Sequence, residues 1–255
     1  MKAVILAGGY GTRLSEETMN QPKPMVNIGD RPIIWHIMKI FEHHGISEFV
    51  ICCGYKGYVL KEYFANYYLH NSDFTIDLAE ASIEIISRKT ENWKITLVDT
   101  GLDTQTGGRL KKVSEHLNGT FIMTYGDGVS DINITELIAF HKSHGKHATV
   151  TSVQPPGRFG AIKTKGSLVS AFAEKAEGAG GLINGGFFVL ETPVLEYIDG
   201  DGTPWEGAPI KRLIDEKQLV SYHHQGFWRP MDTLRDKNAL ENAWKDDNAP
   251  WKVWP

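Results

Sequence analysis

The chain opens on a short apolar run that stops at glycines. Residues 2–7 form this run, and similar runs recur at 48–53 and 121–124. An uninterrupted apolar run of this length is typical of a strand that is buried on both faces. Between such runs, apolar residues return at helical spacing, as they do between positions 33 and 41. Strands that alternate with helices predict a doubly wound, mostly parallel α/β sheet, with ligands beyond the carboxyl ends of its strands.

The pattern changes after His147, where shorter strand-like runs follow one another. Two helices are predicted in this part, at about 209–217 and 233–246. No linker rich in proline, glycine or serine separates the two parts of the chain. We therefore expect one domain over residues 1–255, with halves at about 1–147 and 148–255.

Composition excludes several classes of partner. The formal net charge is −4, so the chain has no general attraction for nucleic acid or for an anionic membrane. Its only cysteines, Cys52 and Cys53, are adjacent, and neighbouring strand residues point to opposite faces, which disfavours a disulfide. The apolar run at the N-terminus is too short for a signal peptide or a membrane span. These features predict a cytoplasmic protein.

A glycine-rich loop follows the first strand. Gly8, Gly9 and Gly11 allow main-chain N–H groups to approach an anion, and Arg13 can donate two hydrogen bonds to a phosphate. Lys23 follows between two prolines, which restrict its backbone. Residue 14 is not glycine, so the dinucleotide-binding fingerprint is absent, and there is no P-loop motif. A tight turn and a solvated lysine are the structural alternatives.

Two carboxylates are candidates for a metal site. Asp127 lies between glycines after a buried strand, and Asp232 follows a tryptophan-rich segment. Mg²⁺ in proteins usually takes one or two carboxylates and shares the rest of its shell with phosphates and water. A plain glycine-rich turn is the alternative for Asp127, and a helix N-cap is the alternative for Asp232.

The sequence AGGYGTRL followed by PKP resembles the signature of the sugar-1-phosphate nucleotidyltransferases. The resemblance implies a Rossmann-like, doubly wound mixed sheet of the nucleotide-diphospho-sugar transferase type, with a C-terminal elaboration on the sugar side. It implies that Arg13 holds the β- and γ-phosphates, that Lys23 stabilises the α-phosphate under attack, and that Asp127 and Asp232 bind Mg²⁺. Arg13, Lys23 and Asp127 are then the catalytic residues. The nucleotide-binding residues implied are Leu6, Ala7, Gly8, Gly9, Gly11, Thr12, Arg13, Lys23, Thr106, Gly107 and Gly108.

The second half carries the sugar-phosphate part of the resemblance. Phe172-Ala173-Glu174-Lys175 is similar to the family's F-x-E-K-P motif, in which the lysine holds the sugar phosphate and the glutamate meets sugar hydroxyls. Ala176 replaces the proline of that motif. An exposed charged pair is the alternative for Glu174 and Lys175. The implied sugar-phosphate site consists of Arg109, Gly160, Glu174, Lys175, Asn184 and Gly185.

Three stretches, at 52–58, 106–111 and 226–236, resemble the family branch that uses CTP and glucose 1-phosphate. That branch implies transfer of a cytidylyl group to give CDP-glucose and pyrophosphate. It also implies a homo-oligomer, a trimer or hexamer. Gln21 departs from the lysine expected before the Pro-Lys-Pro run.

Three alternatives stay open. A nucleotidyltransferase with another triphosphate or another sugar 1-phosphate is the first. A metal-dependent glycosyltransferase would need an Asp-x-Asp motif, but Val129 stands two positions after Asp127. A non-catalytic nucleotide-binding module would have no use for Asp127 and Lys23.

Overall fold

The computed structural model describes residues 1–88, 90–155, 161–165, 168–173 and 181–255. Its strands are β1 (Lys2–Ala7), β2 (Asn27–Ile28), β3 (Arg31–Pro32), β4 (Glu48–Cys53), β5 (Ser72–Asp77), β6 (Ser82–Arg88), β7 (Lys94–Asp99), β8 (Thr120–Tyr125), β9 (Gly128–Ser130), β10 (Ala148–Val153), β11 (Ala161–Lys165), β12 (Leu168–Ala173), β13 (Ile183–Glu191), β14 (Leu219–His224) and β15 (Trp228–Pro230). Its α-helices are α1 (Ser15–Thr18), α2 (Ile33–His43), α3 (Gly57–Ala65), α4 (Tyr67–His70), α5 (Thr106–Lys112), α6 (Ile134–His144), α7 (Ala208–Asp215) and α8 (Leu234–Lys245). None of the helices in these described ranges is long and apolar enough to cross a membrane.

Seven of the described strands form one sheet in the order β14-β10-β13-β8-β1-β4-β7. β1 runs parallel to β4 and β8, and β4 runs parallel to β7. β13 is antiparallel to its neighbours β8 and β10, so the sheet is mixed. The α/β fold class expected from the sequence is confirmed. Because β13 lies between β8 and β10, strands from both halves of the chain share this sheet, and the division into halves stays a prediction.

The first apolar run serves both faces of the sheet. Ala3, Ile5 and Ala7 belong to one buried cluster, whereas Val4 and Leu6 belong to the other. Since successive side chains of a strand point to opposite faces, a strand covered on both sides must be apolar throughout. This explains why the run shows no alternation of apolar and polar residues.

The end of the chain closes one face of the molecule around a buried histidine. His36 is 0% exposed, and its Nε2 lies 3.0 Å from the carbonyl oxygen of Ile28. The indole of Trp251 donates to His36 Nδ1 at 3.4 Å, and the ring of Trp244 meets the imidazole edge to face at 4.6 Å. Burial lowers the pKa of His36 to about 4, although its hydrogen bonds to the main chain oppose the shift. The imidazole is therefore neutral at pH 7.

We expect His36 to make the fold sensitive to acid. In the unfolded chain a histidine has a pKa near 6.5, so the unfolded state takes up this proton first as the pH falls from about 6.5 to 4. Stability then decreases over that window, by up to about 1.4 kcal/mol per pH unit from this one group. Melting temperatures at pH 7 and pH 5 should differ less in His36→Gln than in the wild type. The matched control is His43→Gln, at an exposed position of the same helix, and equal acid sensitivity of all three proteins would contradict the assignment.

Candidate active site

A cleft opens at the carboxyl edge of the sheet. Ala7 of β1 pairs with Cys53 of β4, and Leu6 pairs with Tyr125 of β8, so these strands end at the same edge. The cleft has a volume of about 430 Å³. Arg109 and Asp127 line the cleft. So do most of the residues expected to bind the nucleotide, namely Leu6, Ala7, Gly8, Gly9, Gly11, Thr12, Arg13, Lys23 and Thr106.

The glycine loop depends on backbone conformations and contacts that exclude a side chain. Gly11 has φ +67°, a left-handed conformation that favours glycine, and a Cβ there would lie 2.9 Å from Cγ2 of Thr18. The hydroxyl of Thr18 donates to the carbonyl oxygen of Gly11 at 3.1 Å and fixes this turn. Among the described residues other than Gly9 and its two chain neighbours, no atom lies within 4 Å of the place that a Cβ of Gly9 would occupy. The loop is therefore held on its inner side and open toward the cleft.

Beside the loop, Lys23 lies between two carboxylates. Its Nζ donates to Oδ2 of Asp127 and to Oδ1 of Asp232, each at 2.7 Å. The pairing of β9 with β15 brings the two aspartates together, since Met231 N donates to the carbonyl oxygen of Asp127 at 2.7 Å. Arg13 joins from the loop, with its Nη1 2.8 Å from Oδ2 of Asp232. The structure thus unites residues that lie up to 219 positions apart in the sequence.

Asp127 and Asp232 stabilise the protonated form of Lys23. The residue is 7% exposed, and burial on its own would lower the pKa of its ammonium group. Asp127 and Asp232 outweigh burial, so the pKa of Lys23 lies above its ordinary value. Arg13 differs, because 69% of its side chain is exposed and it can reorient toward a ligand. One fixed and one movable cation therefore border the cleft.

Asp232 does not cap the helix that follows it. The N-cap of α8 is Thr233, whose side chain accepts from Asp236 N while Asp236 Oδ2 accepts from Thr233 N. This is a complete capping box, so the alternative explanation for Asp232 is wrong. Its carboxylate instead faces Lys23 and Arg13.

The two aspartates are a donor set that fits a divalent metal shared with a ligand. Both place a carboxylate oxygen 2.7 Å from the same cationic nitrogen, so they already converge on one positive charge. Within the described ranges, no cluster of three or more His, Cys, Asp or Glu side chains could hold a metal by itself. A metal at this place would take the remainder of its coordination from phosphate oxygens and water, as Mg²⁺ usually does.

Arg109 lies under the glycine loop and is only 4% exposed. Its Nη2 donates to the carbonyl oxygens of Gly8 and Leu102, both at 3.0 Å. Its Nη1 donates to Gly101 O and Thr100 Oγ1, both at 2.7 Å, and more weakly to Cys53 O at 3.3 Å. The guanidinium thus links the segments that follow β1, β4 and β7. Its expected role in binding a sugar phosphate stays a prediction.

Gly107 and Gly108 are packed against another segment of the chain. A Cβ at Gly107 would lie 2.7 Å from the carbonyl oxygen of Thr203, and one at Gly108 would lie 2.6 Å from that of Asp201. Main-chain hydrogen bonds join the same parts, such as the one from Gly108 N to Thr203 O at 3.1 Å. Close approach of the 201–205 segment therefore accounts for both glycines, and neither lines the cleft. Their contact with the base stays a prediction.

The described part of the expected sugar site adjoins Tyr125. Asn184 Nδ2 donates to the hydroxyl oxygen of Tyr125 at 3.3 Å, and Asn184 Oδ1 accepts from Gly186 N at 2.9 Å. The carbonyl oxygen of Gly185 accepts from the indole of Trp228 at 2.6 Å. Gly160, Glu174 and Lys175, and with them Ala176, lie outside the described residues.

The cleft and the segment beside it also contain groups to which the sequence analysis gave no role. The hydroxyl of Tyr10, on the glycine loop, donates to Oδ1 of Asp103 at 2.8 Å, across the mouth of the cleft. Glu206 accepts from the hydroxyls of Thr106 and Tyr125. Tyr10 lies within the glycine-loop motif, but nothing near Asp103 or Glu206 in the sequence indicates these contacts.

The cysteines have no place in this chemistry. Cys52 and Cys53 are both buried, and burial raises the pKa of each thiol, to about 11 for Cys53. A thiol that stays protonated at neutral pH is a poor nucleophile. Both residues pack in the core, one on each face of β4.

The cleft at the carboxyl edge of the sheet combines a glycine loop, two cations and two carboxylates, and these groups have the chemistry to bind a phosphorylated nucleotide. The profile of the nucleotidyl transferase family matches residues 2–246. The chain therefore belongs to the nucleotidyl transferase family, and its activity is that of a nucleotidyltransferase. Members of this family generally use a divalent metal.

Two relatives are similar over their whole length. The glucose-1-phosphate cytidylyltransferases of Salmonella typhimurium and Salmonella typhi are each 57% identical to this chain, with 100% of both chains covered. The crystal structure of HddC from Yersinia pseudotuberculosis has a TM-score of 0.68 at 21% identity, and the match covers 95% of this chain and 99% of that one. At this identity HddC supports the fold alone.

Replacing Arg109 should destabilise the protein and weaken nucleotide binding. Lysine keeps the charge but has one donor nitrogen, so Arg109→Lys cannot keep all the hydrogen bonds that the guanidinium makes to Gly8, Leu102 and the residues around them. We expect the free energy of unfolding to fall by about 3 kcal/mol or more. We also expect the dissociation constant for the nucleotide to rise. Denaturant unfolding and calorimetric titration measure the two effects. Arg235→Lys, at an exposed position of α8, is the control, and an unchanged stability of Arg109→Lys would show that the guanidinium network is dispensable.

Removing either carboxylate should abolish most turnover. Asp127→Asn and Asp232→Asn keep the shape of the side chain but remove the negative charge that would hold a cation beside the phosphates. We expect kcat to fall by at least about a hundredfold. Pyrophosphate release at saturating metal measures this, with Asp215→Asn, at an exposed position of α7, as the matched control. Near-normal turnover of either variant would remove that aspartate from the metal site.

Proposed function

We propose that this chain transfers the cytidylyl group of CTP to α-D-glucose 1-phosphate, forming CDP-glucose and pyrophosphate. The observation that carries the proposal is the cluster of Arg13, Lys23, Asp127 and Asp232 at the glycine loop. The identity of 57% over the full length of a glucose-1-phosphate cytidylyltransferase supports the choice of substrates. No contact among the described residues of the cleft favours another triphosphate or another sugar 1-phosphate.

The residues of the chain position the triphosphate and balance its charge. The open side of the glycine loop offers main-chain N–H groups to the phosphates. Arg13 is exposed and has the reach to hold the β- and γ-phosphates in a bidentate manner. Lys23 is fixed beside the loop, where its ammonium group stabilises negative charge that builds up on the α-phosphate.

Asp127 and Asp232 would hold the metal, which we propose to be Mg²⁺. When bound, Mg²⁺ neutralises phosphate charge and orients the pyrophosphate leaving group. The two carboxylates fit this ion because it accepts few protein ligands and shares the others with phosphates.

The sugar phosphate is itself an anion, so it can attack the α-phosphorus without a general base. Catalysis is then a matter of alignment and charge stabilisation. The buried, protonated thiols of Cys52 and Cys53 agree with a single in-line displacement that has no covalent enzyme intermediate. Asn184 and Gly185, with Gly160, Glu174 and Lys175, are proposed to hold the glucose 1-phosphate. A homo-oligomer, a trimer or hexamer, stays an expectation from the resemblance.

We expect a clear preference for CTP when pyrophosphate release is assayed with glucose 1-phosphate and a panel of triphosphates. Cytosine presents an exocyclic amine where uracil and thymine present a carbonyl oxygen. A site that accepts a hydrogen bond from the amine opposes that carbonyl at a cost of about 1–3 kcal/mol, which is roughly one to two orders of magnitude in kcat/KM. UTP and dTTP should therefore be used less well, and purine triphosphates less well again.

Each triphosphate is compared at saturating glucose 1-phosphate, with Asp127→Asn as the background for contaminating activity. A highest kcat/KM with dTTP or GTP would overturn the choice of base and leave the phosphate chemistry intact. Binding of CTP without any release of pyrophosphate would favour the non-catalytic alternative.

A further inference from the structure

Glu206 lies beside the cleft and contacts two residues that line it, Thr106 and Tyr125. It lies in the segment that precedes α7, next to Trp205, which is 0% exposed. The indole of Trp205 packs edge to face on Phe188 of β13 at 5.9 Å, and this contact anchors the segment. Glu206 itself is exposed. The carboxylate is therefore held by a fixed backbone but not enclosed.

The carboxylate accepts hydrogen bonds from both sides of the cleft. Oε2 accepts from the hydroxyl of Thr106 at 2.6 Å, at the start of α5. Oε1 accepts from the hydroxyl of Tyr125, at the end of β8 and two residues before Asp127. Thr106 and Tyr125 both line the nucleotide cleft, and Tyr125 also contacts Asn184, the expected sugar contact.

These bonds fix the polarity of the two hydroxyls. Each hydroxyl has one proton to donate, and Glu206 receives both. Thr106 Oγ1 also accepts from Trp205 N, and Tyr125 Oη accepts from Asn184 Nδ2 at the longer distance of 3.3 Å, so the one lone pair that remains on each oxygen can only accept. A ligand that meets either oxygen must bring a donor, as a sugar hydroxyl or a base amine does.

The contact between the segments does not need the carboxylate. Gln105 N donates to Asp201 O at 2.8 Å, and Gly108 N donates to Thr203 O at 3.1 Å. Trp205 N donates to Thr106 Oγ1 at 2.8 Å. With three bonds and a buried tryptophan in place, the loss of Glu206 leaves the packing intact. Its two hydrogen bonds serve the cleft.

We infer that Glu206 is a positioning residue that orients the hydroxyls of Thr106 and Tyr125 as hydrogen-bond acceptors for the two substrates. The inference rests on the proposed function. It adds to that function a residue that favours hydrogen-bond donor groups on the sugar. Glu206 acts through Thr106 on the nucleotide and through Tyr125 on the sugar phosphate.

The test compares Glu206→Gln, Tyr125→Phe and the double variant in steady-state assays with CTP and glucose 1-phosphate. An amide nitrogen at position 206 donates, so it turns at least one hydroxyl proton toward the cleft. Glu206→Gln should raise the KM for both substrates, and that for glucose 1-phosphate by about tenfold, which is roughly one hydrogen bond. Tyr125→Phe should raise only the KM for glucose 1-phosphate. The double variant should be no worse toward the sugar phosphate than either single variant, because both remove the same interaction.

The matched control is Glu196→Gln, an exposed glutamate outside the cleft, which should stay within about twofold of the wild type, an effect too small to count as one hydrogen bond. Melting temperatures of all variants are measured alongside. Unchanged KM values in Glu206→Gln would overturn the inference. A fall in melting temperature with kcat reduced and both KM values unchanged would do the same, as would additive effects in the double variant. If the wild type prefers another substrate pair, the proposed function fails separately, and the same KM comparison is made with that pair.

Discussion

The buried guanidinium of Arg109 holds the nucleotide edge of the sheet together. A charged group that is 4% exposed is costly to bury unless it is hydrogen-bonded, and here the two terminal nitrogens of the guanidinium donate to four carbonyl oxygens and one hydroxyl. The arrangement leaves no room for other side chains: a Cβ at Gly8 or Gly54 would collide with the guanidinium, and one at Gly54 would also lie 2.6 Å from Gly8 O. The packing of Arg109 alone therefore requires a glycine at position 8.

The parts of the site that sequence could predict are local. The positions of the glycine loop, of Arg13 and of Asp127 can be predicted from the few residues around each of them, because the end of a strand fixes where the next side chains lie. Asp232 was ambiguous, since a carboxylate before a helix is also a common N-cap. Only the capping box of Thr233 and Asp236 decided between the two roles.

The remainder depends on contacts between distant segments. Glu206 and Thr106 are 100 positions apart, and nothing in the sequence near either residue indicates their hydrogen bond. Gly107 and Gly108 fitted a base-binding turn, yet the described contacts show the 201–205 main chain against them. The β5–β6 ribbon pairs only within itself and most of its residues are exposed, so β5 lacks the apolar run that marks the sheet strands. These features depend on tertiary packing between distant segments, which cannot be predicted from a single sequence.

The charges of the site explain why metal and nucleotide belong together. Arg13 and Lys23 carry two positive charges, and Asp127 and Asp232 carry two negative ones, so the cluster is formally neutral. Neither this cluster nor a chain of net charge −4 attracts a bare triphosphate strongly, and a cation that accompanies the phosphates removes the difficulty. The same carboxylates that bind Lys23 would also bind that cation. The ammonium group of Lys23 is fixed beside the glycine loop, where we propose that it stabilises the charge that builds up on the α-phosphate.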